Sequence, residues 1–162
     1  MYNFVFEGGF ENSYIFQTKK GVIYDIKFRP SPYLLGDENT LYSKDIFEFI
    51  IEILYNPIEK SPTLDKKIPE TITAIFEDFY TKNSETICIY ICDSSDNRQD
   101  IRRRKFDDWF YSREILDLLK FDQIIKDSKG IGYPLSVIIK KNNPYLVEVI
   151  LAFAQISSQN SK

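Results

Sequence analysis

An α+β fold is what this sequence predicts: a mixed or antiparallel sheet that opens with a three-stranded meander and carries helices packed on it. Three observations predict it. The first 30 residues alternate apolar and polar side chains with period two, broken at glycines. The run Thr86–Cys92 is apolar on both sides of a strand. Further stretches repeat apolar residues at helical spacing. The order that results, β-β-β-α-α-β-α-β-β-α, gathers strands and helices in runs, which is the α+β pattern.

In the meander, Tyr2, Phe4 and Phe6 alternate with Asn3 and Glu7, and Gly8-Gly9 breaks the first strand. Tyr14, Phe16 and Thr18 make the second, and Lys19-Lys20-Gly21 a hairpin. Val22, Tyr24, Ile26 and Phe28 form the inner face of the third, with Asp25 and Lys27 projecting outward to a wet face. Pro30-Ser31-Pro32 stops it, and a loop anchored by Tyr33, Leu34, Leu35 and Leu41 follows.

A helix over about 44–55 is expected from Ile46, Phe49, Ile50, Ile53 and Leu54, ended by Asn56-Pro57. A second runs to Lys82 with Ile68, Ile72, Ile75, Phe76 and Phe79 on one face, Pro69 in its first turn and Asn83 as C-cap. Thr86–Cys92 is then an interior strand. Asp93-Ser94-Ser95-Asp96 ends it, and Asp96 with Gln99 has the spacing of a capping box for a basic helix. On that helix Ile101, Lys105 and Trp109 fall on one stripe with Phe106 and Phe110 beside it, so its aromatics face the core. Ser112 starts a short helical piece through Ile115, Leu116 and Leu119. Phe121–Lys126 and Tyr133–Lys140 pair as a closing hairpin, and Asn143-Pro144 begins a last helix buried through Leu146, Val149, Ile150 and Phe153. The expected organisation is one domain over 1–156 and a polar tail over 157–162.

Composition narrows the function classes. With 43% hydrophobic and 28% charged residues in 162, the chain is an ordinary globular one, and its 13 Phe and 11 Tyr serve core filling. A net charge of −3 argues against a protein that coats nucleic acid with its whole surface. There is no histidine, hence no Ser-His-Asp or Cys-His site. Cys88 and Cys92 share a strand face about 13 Å apart, too far for a disulfide, and form no zinc set. No Walker loop occurs, and Gly130-Ile131-Gly132 is too short for a dinucleotide fingerprint. No catalytic residue, metal or cofactor is expected. The N-terminus has no signal-peptide pattern and no apolar run approaches a membrane span, so the expectation is a cytoplasmic protein with no membrane partner.

The chemistry-bearing residues gather around the interior strand's end. Asp93, Ser94, Ser95, Asp96, Arg98, Arg102, Arg104 and Lys105 are the candidate binding residues. The helix start and Ser94 and Ser95 suit a phosphate or carboxylate, although Asp93 and Asp96 repel one. Asp100–Arg104, Arg103–Asp107 and Arg104–Asp108 lie four apart and can pair on the helix. Arg98 and Arg102 have no such acid and need either a tertiary carboxylate or an anionic ligand. Asp25 and Lys27 would seed a carboxylate–metal site only if Glu7, Asp93 or Asp96 came to them; an Asp-x-Lys on a strand is weak evidence for one, since outward charges are what a wet sheet face needs.

The run Tyr90-Ile91-Cys92-Asp93-Ser94-Ser95-Asp96, then Arg98-Gln99, Arg102, Arg104-Lys105-Phe106 and Trp109-Phe110, resembles an uncharacterised family of small bacterial proteins, mainly of Bacteroidota. The likeness extends to Phe4–Gly9 and Phe28–Leu34. The resemblance implies a single intracellular domain of unknown function with no catalytic residue to carry over. Two functions fit the residues. One is a non-enzymatic interaction module that meets an acidic protein or nucleic acid through the basic helix 98–110. The other is a small hydrolase or nuclease using Asp93, Asp96 and neighbouring arginines.

Overall fold

The computed structural model describes residues 1–58, 65–92, 99–111 and 117–159. Its strands are β1 (Phe4–Gly8), β2 (Ser13–Gln17), β3 (Ile23–Pro30), β4 (Ile46–Tyr55), β5 (Ile87–Ile91), β6 (Leu118–Lys126) and β7 (Gly132–Lys140). Its helices are α1 (Lys67–Lys82), α2 (Gln99–Tyr111) and α3 (Leu146–Gln159). The strands form a seven-stranded sheet in the order β1-β2-β3-β4-β5-β7-β6, so the expected α+β class and N-terminal meander are both present. The residues pack as two compact units, Met1–Pro30 with Phe49–Ser84, and Ser31–Glu48 with Glu85–Lys162.

In the first unit the meander pairs antiparallel, with Tyr14 opposite both Phe6 and Ile26. Period-two alternation places Tyr14, Phe16, Tyr24, Ile26 and Phe28 inside. Helix α1 lays Ile72, Ile75, Phe76 and Phe79 over them. Phe28 stacks on Phe79 with ring centres 3.9 Å apart and meets Phe76 and Phe49 at 5.4 and 5.5 Å. At the start of α1, Asp65 Oδ1 accepts the Lys67 N–H at 3.0 Å, and Pro69 sits in the first turn where its missing N–H leaves nothing unmet. Gly21 takes φ +78° in the β2–β3 turn, a conformation side chains disfavour.

The outer face of the meander is less open than alternation alone predicts. Asp25 lies on it but is only 6% exposed. Ser13 Oγ donates to its carboxylate at 2.5 Å, and the Lys27 ammonium lies 3.6 Å away. Lys27 also pairs with Glu11 at 3.1 Å and Glu52 at 2.7 Å, so three carboxylates surround one ammonium. Neither Glu7 nor any described acid joins Asp25 to make a metal set: no group of three Cys, Asp or Glu side chains among the described residues is placed to hold a metal ion.

The helix expected over 44–55 is instead the short 3-10 turn Ser43–Asp45 followed by the ten-residue strand β4. The run IFEFIIEILY satisfies both periods, because Ile46, Phe49, Ile50, Ile53 and Leu54 match a helix while alternation also separates two faces. Its β-branched and aromatic residues favour the strand, and tertiary pairing selects it. Glu52 reaches Lys27 on one face, and Phe49 packs on Phe28 and Phe76 on the other. The observed order is therefore β-β-β-β-α-β-α-β-β-α.

In the second unit β5 lies between other strands and is buried along Ile87–Tyr90, as its two apolar faces predict. Its pairing with β7 and that of β7 with β6 are antiparallel. The β6–β7 hairpin turns where Asp127 Oδ1 accepts the N–H groups of Lys129 and Ile131, with Gly130 at φ +78°. Strand β6 begins at Leu118, so Leu119 belongs to it and not to the expected short helical piece; Ser112, Ile115 and Leu116 lie outside the described residues. Asn143 starts the last helix as expected: its Oδ1 accepts the Tyr145 N–H at 2.9 Å, and its Nδ2 ties the turn to Glu85 O. Val149 and Phe153 are buried, and no helix among the described residues is long and apolar enough to cross a membrane.

Candidate functional site

Strand β5 presents different chemistry on its two sides. Ile87, Ile89 and Ile91 point to one face, where they join Val137, Ile139 and Leu135 of β7 in a largely apolar cluster under Val149 and Phe153 of α3. Cys88, Tyr90 and Cys92 point to the other. There Tyr90 stands opposite Ser136 of β7, and Ser136 opposite Asp122 of β6, so one cross-strand row is polar from end to end. Helix α2 lies on this row: the Phe106 ring is 4.2 Å from that of Tyr90.

An ionic clasp closes the contact. Lys120, two residues before Asp122 on the same face, has no exposed side-chain surface. Its ammonium meets Asp107 of α2 at 2.6 Å and also pairs with Asp122. Asp122 in turn accepts the Ser136 hydroxyl at 2.6 Å. The rings of Phe106 and Tyr111, both on α2, lie 5.8 and 5.5 Å from the same ammonium. Phe106, Trp109 and Phe110 are buried, with the Trp109 ring 4.8 Å from that of Phe106. Burial pushes the Tyr90 phenol and the Cys92 thiol up from their ordinary values, so both stay protonated near neutrality, and Cys92 is not poised as a thiolate nucleophile.

The rest of α2 faces outward. Ile101 is 49% exposed and Tyr111 65%, and Arg104, Lys105 and Asp108 are exposed between them. Ile101 and Lys105 thus leave the stripe they share with Trp109 by spacing; the buried stripe runs through Phe106, Trp109 and Phe110. Among the expected helix pairs, Arg104 Nε reaches the Asp100 carbonyl at 3.4 Å, and Asp107 is held by Lys120 instead of Arg103. Arg102 is half-buried, with its charge acting on both Tyr90 and Cys92. Arg103 is half-buried too, and its Nε is enclosed with no hydrogen-bond partner among the described residues. Of the candidate binding residues, Arg102, Arg104 and Lys105 are therefore on one helix, the first turned inward and the others outward. Asp93, Ser94, Ser95, Asp96 and Arg98 lie outside the described residues, as does the side chain of Gln99.

Sequence reasoning passed over Tyr90, Asp107, Lys120, Asp122 and Ser136 as a group. A signal was present in the alternation of Leu119 and Phe121 with Lys120 and Asp122, and in Ser136 interrupting an apolar strand. Nothing in the sequence alone joins those positions to Asp107.

Fold and surface together define an α+β protein in which a charged helix is seated on a polar sheet row. The chain belongs to the Family of unknown function (DUF6169), whose family model matches residues 64–155 and so includes the whole Tyr90–Phe110 motif. No curated protein and no solved structure matches the chain.

Proposed function

We propose that the protein is a non-enzymatic interaction module that meets an acidic protein partner through the outward face of α2. The observation that carries this reading is the spacing of Ile101, Arg104, Lys105, Asp108 and Tyr111. These residues share one helix face, all exposed, with an apolar residue at one end and an aromatic at the other. Exposed tyrosine and arginine on a rigid element are favoured anchors of protein interfaces. Arg104 and Lys105 suit acidic side chains of the partner. Asp100 and Asp108 on the same helix disfavour a polyanion, which sets protein above nucleic acid.

The test compares captures from native cells by the wild-type chain and by an Arg104→Glu/Lys105→Glu variant with an unchanged melting temperature. A protein held by the first and lost by the second is the expected result. A partner retained by the variant overturns the reading. Recovery of nucleic acid in place of protein, with binding that weakens steeply with salt, overturns the choice of partner class.

A further inference from the structure

We infer that α2 is a latched element, held on the sheet by the Lys120 clasp and able to lift away while the α3 side of the same unit stays folded. The two faces of the β5–β7–β6 sheet differ in what separation costs. Under α3 lie Ile87, Ile89, Val137 and Ile139, none of them exposed, and parting that contact leaves apolar surface in water. The α2 side carries Tyr90, Ser136, Asp122 and Lys120 beside the buried Cys88 and Ile138, and its hydroxyls, carboxylate and ammonium recover hydrogen bonds from water as the helix leaves.

Three groups surrounding the Lys120 ammonium, Asp107, Phe106 and Tyr111, come from α2 and depart together. Asp122 stays behind on the strand as its counter-charge, so the opened state does not strand a buried ion. Arg103 adds to the asymmetry, since its Nε is enclosed without a partner among the described residues when the helix is seated and gains water when it is not. The burial of Phe106, Trp109 and Phe110 opposes opening and keeps the seated helix the ground state. Local openings of this kind draw on the least apolar contacts of a fold. Lifting α2 would uncover Cys92, which is 2% exposed on the same sheet face.

The experiment reads Cys92 reactivity toward an aromatic disulfide reagent under native conditions, separated from Cys88 by peptide mass spectrometry, together with amide exchange along the chain. Wild type should label slowly. Asp107→Asn and Lys120→Met should each speed Cys92 labelling at least tenfold, with protection of β5 and α3 amides retained. Phe153→Ala, which weakens the opposite face, should raise labelling only in step with loss of α3 protection. Unchanged labelling in Asp107→Asn, or a rise that follows α3 exchange, overturns the latch. If neither clasp variant folds, amide exchange of the wild type in low urea decides: α2 opening before β5 and α3 supports the latch, and all three opening together overturns it.

Discussion

Lys120 Nζ lies 2.6 Å from Asp107 Oδ1, joining the penultimate turn of α2 to the edge strand β6, and none of the lysine side chain reaches solvent. Such a charge is tolerable only because Asp122 shares it and aromatic rings flank it. Lys120→Ala should cost on the order of 2 kcal/mol, below the ~3–5 kcal/mol of a fully enclosed pair, because Asp107 is 30% exposed and can rehydrate. Asp107→Asn should cost less, since Asp122 still answers the ammonium. Urea denaturation of the two variants checks the ranking.

The arginines of the motif should separate by burial. Arg102, half-buried beside Tyr90 and Cys92, should destabilise the protein by about 1–2 kcal/mol when replaced with alanine. Arg104→Ala and Lys105→Ala change exposed positions and should stay within about 0.5 kcal/mol of wild type. Thermal melts give the comparison. Equal losses at all three positions would refute it.

Stability should fall above about pH 10. Burial raises the phenols of Tyr14, Tyr24 and Tyr90, and the Asp65 carboxylate raises that of Tyr2. These groups keep their protons in the folded state where the unfolded chain would lose them. Their contribution is therefore complete below the unfolded value and is lost as pH rises through and beyond it. Phenolate absorbance recorded alongside circular dichroism should show ionisation and unfolding in one transition.

At the acid end the sign reverses. Lys27 and Arg29 hold Glu11 below the usual carboxylate range, Lys82 and the Tyr14 hydroxyl do so for Asp78, and the Tyr2 hydroxyl does so for Asp65. That stability is present above about pH 4 and is lost as pH falls through the lowered values. Melting temperatures between pH 2 and 7 in Glu11→Gln should show a shallower acid limb than wild type.

Amides of Ile87–Ile91 should be among the slowest to exchange, because an interior strand opens mainly when its whole unit does. Hydrogen exchange resolved to peptides covering β5 measures this directly. Early exchange there would contradict its interior place.

The sequence by itself determined the α+β class, the meander, the interior strand β5, the closing hairpin and the Asn143 helix start. Each is written in local terms: side-chain period, a glycine where φ is positive, or a side chain that caps its own backbone. It also determined that α2 buries Phe106, Trp109 and Phe110, because those aromatics recur at helical spacing. Only the tertiary structure decided that Ile46–Tyr55 is a strand. Its apolar residues fit both periods, and the choice falls to Glu52 meeting Lys27 and Phe49 meeting Phe28, contacts that span 25 and 21 positions of chain. It alone decided the clasp as well. Asp107 and Lys120 sit 13 positions apart in elements of different period, and no local rule pairs them. Packing α2 across the β5–β7–β6 row brings them together, and the ion pair with the burial of Phe106, Trp109 and Phe110 holds them there.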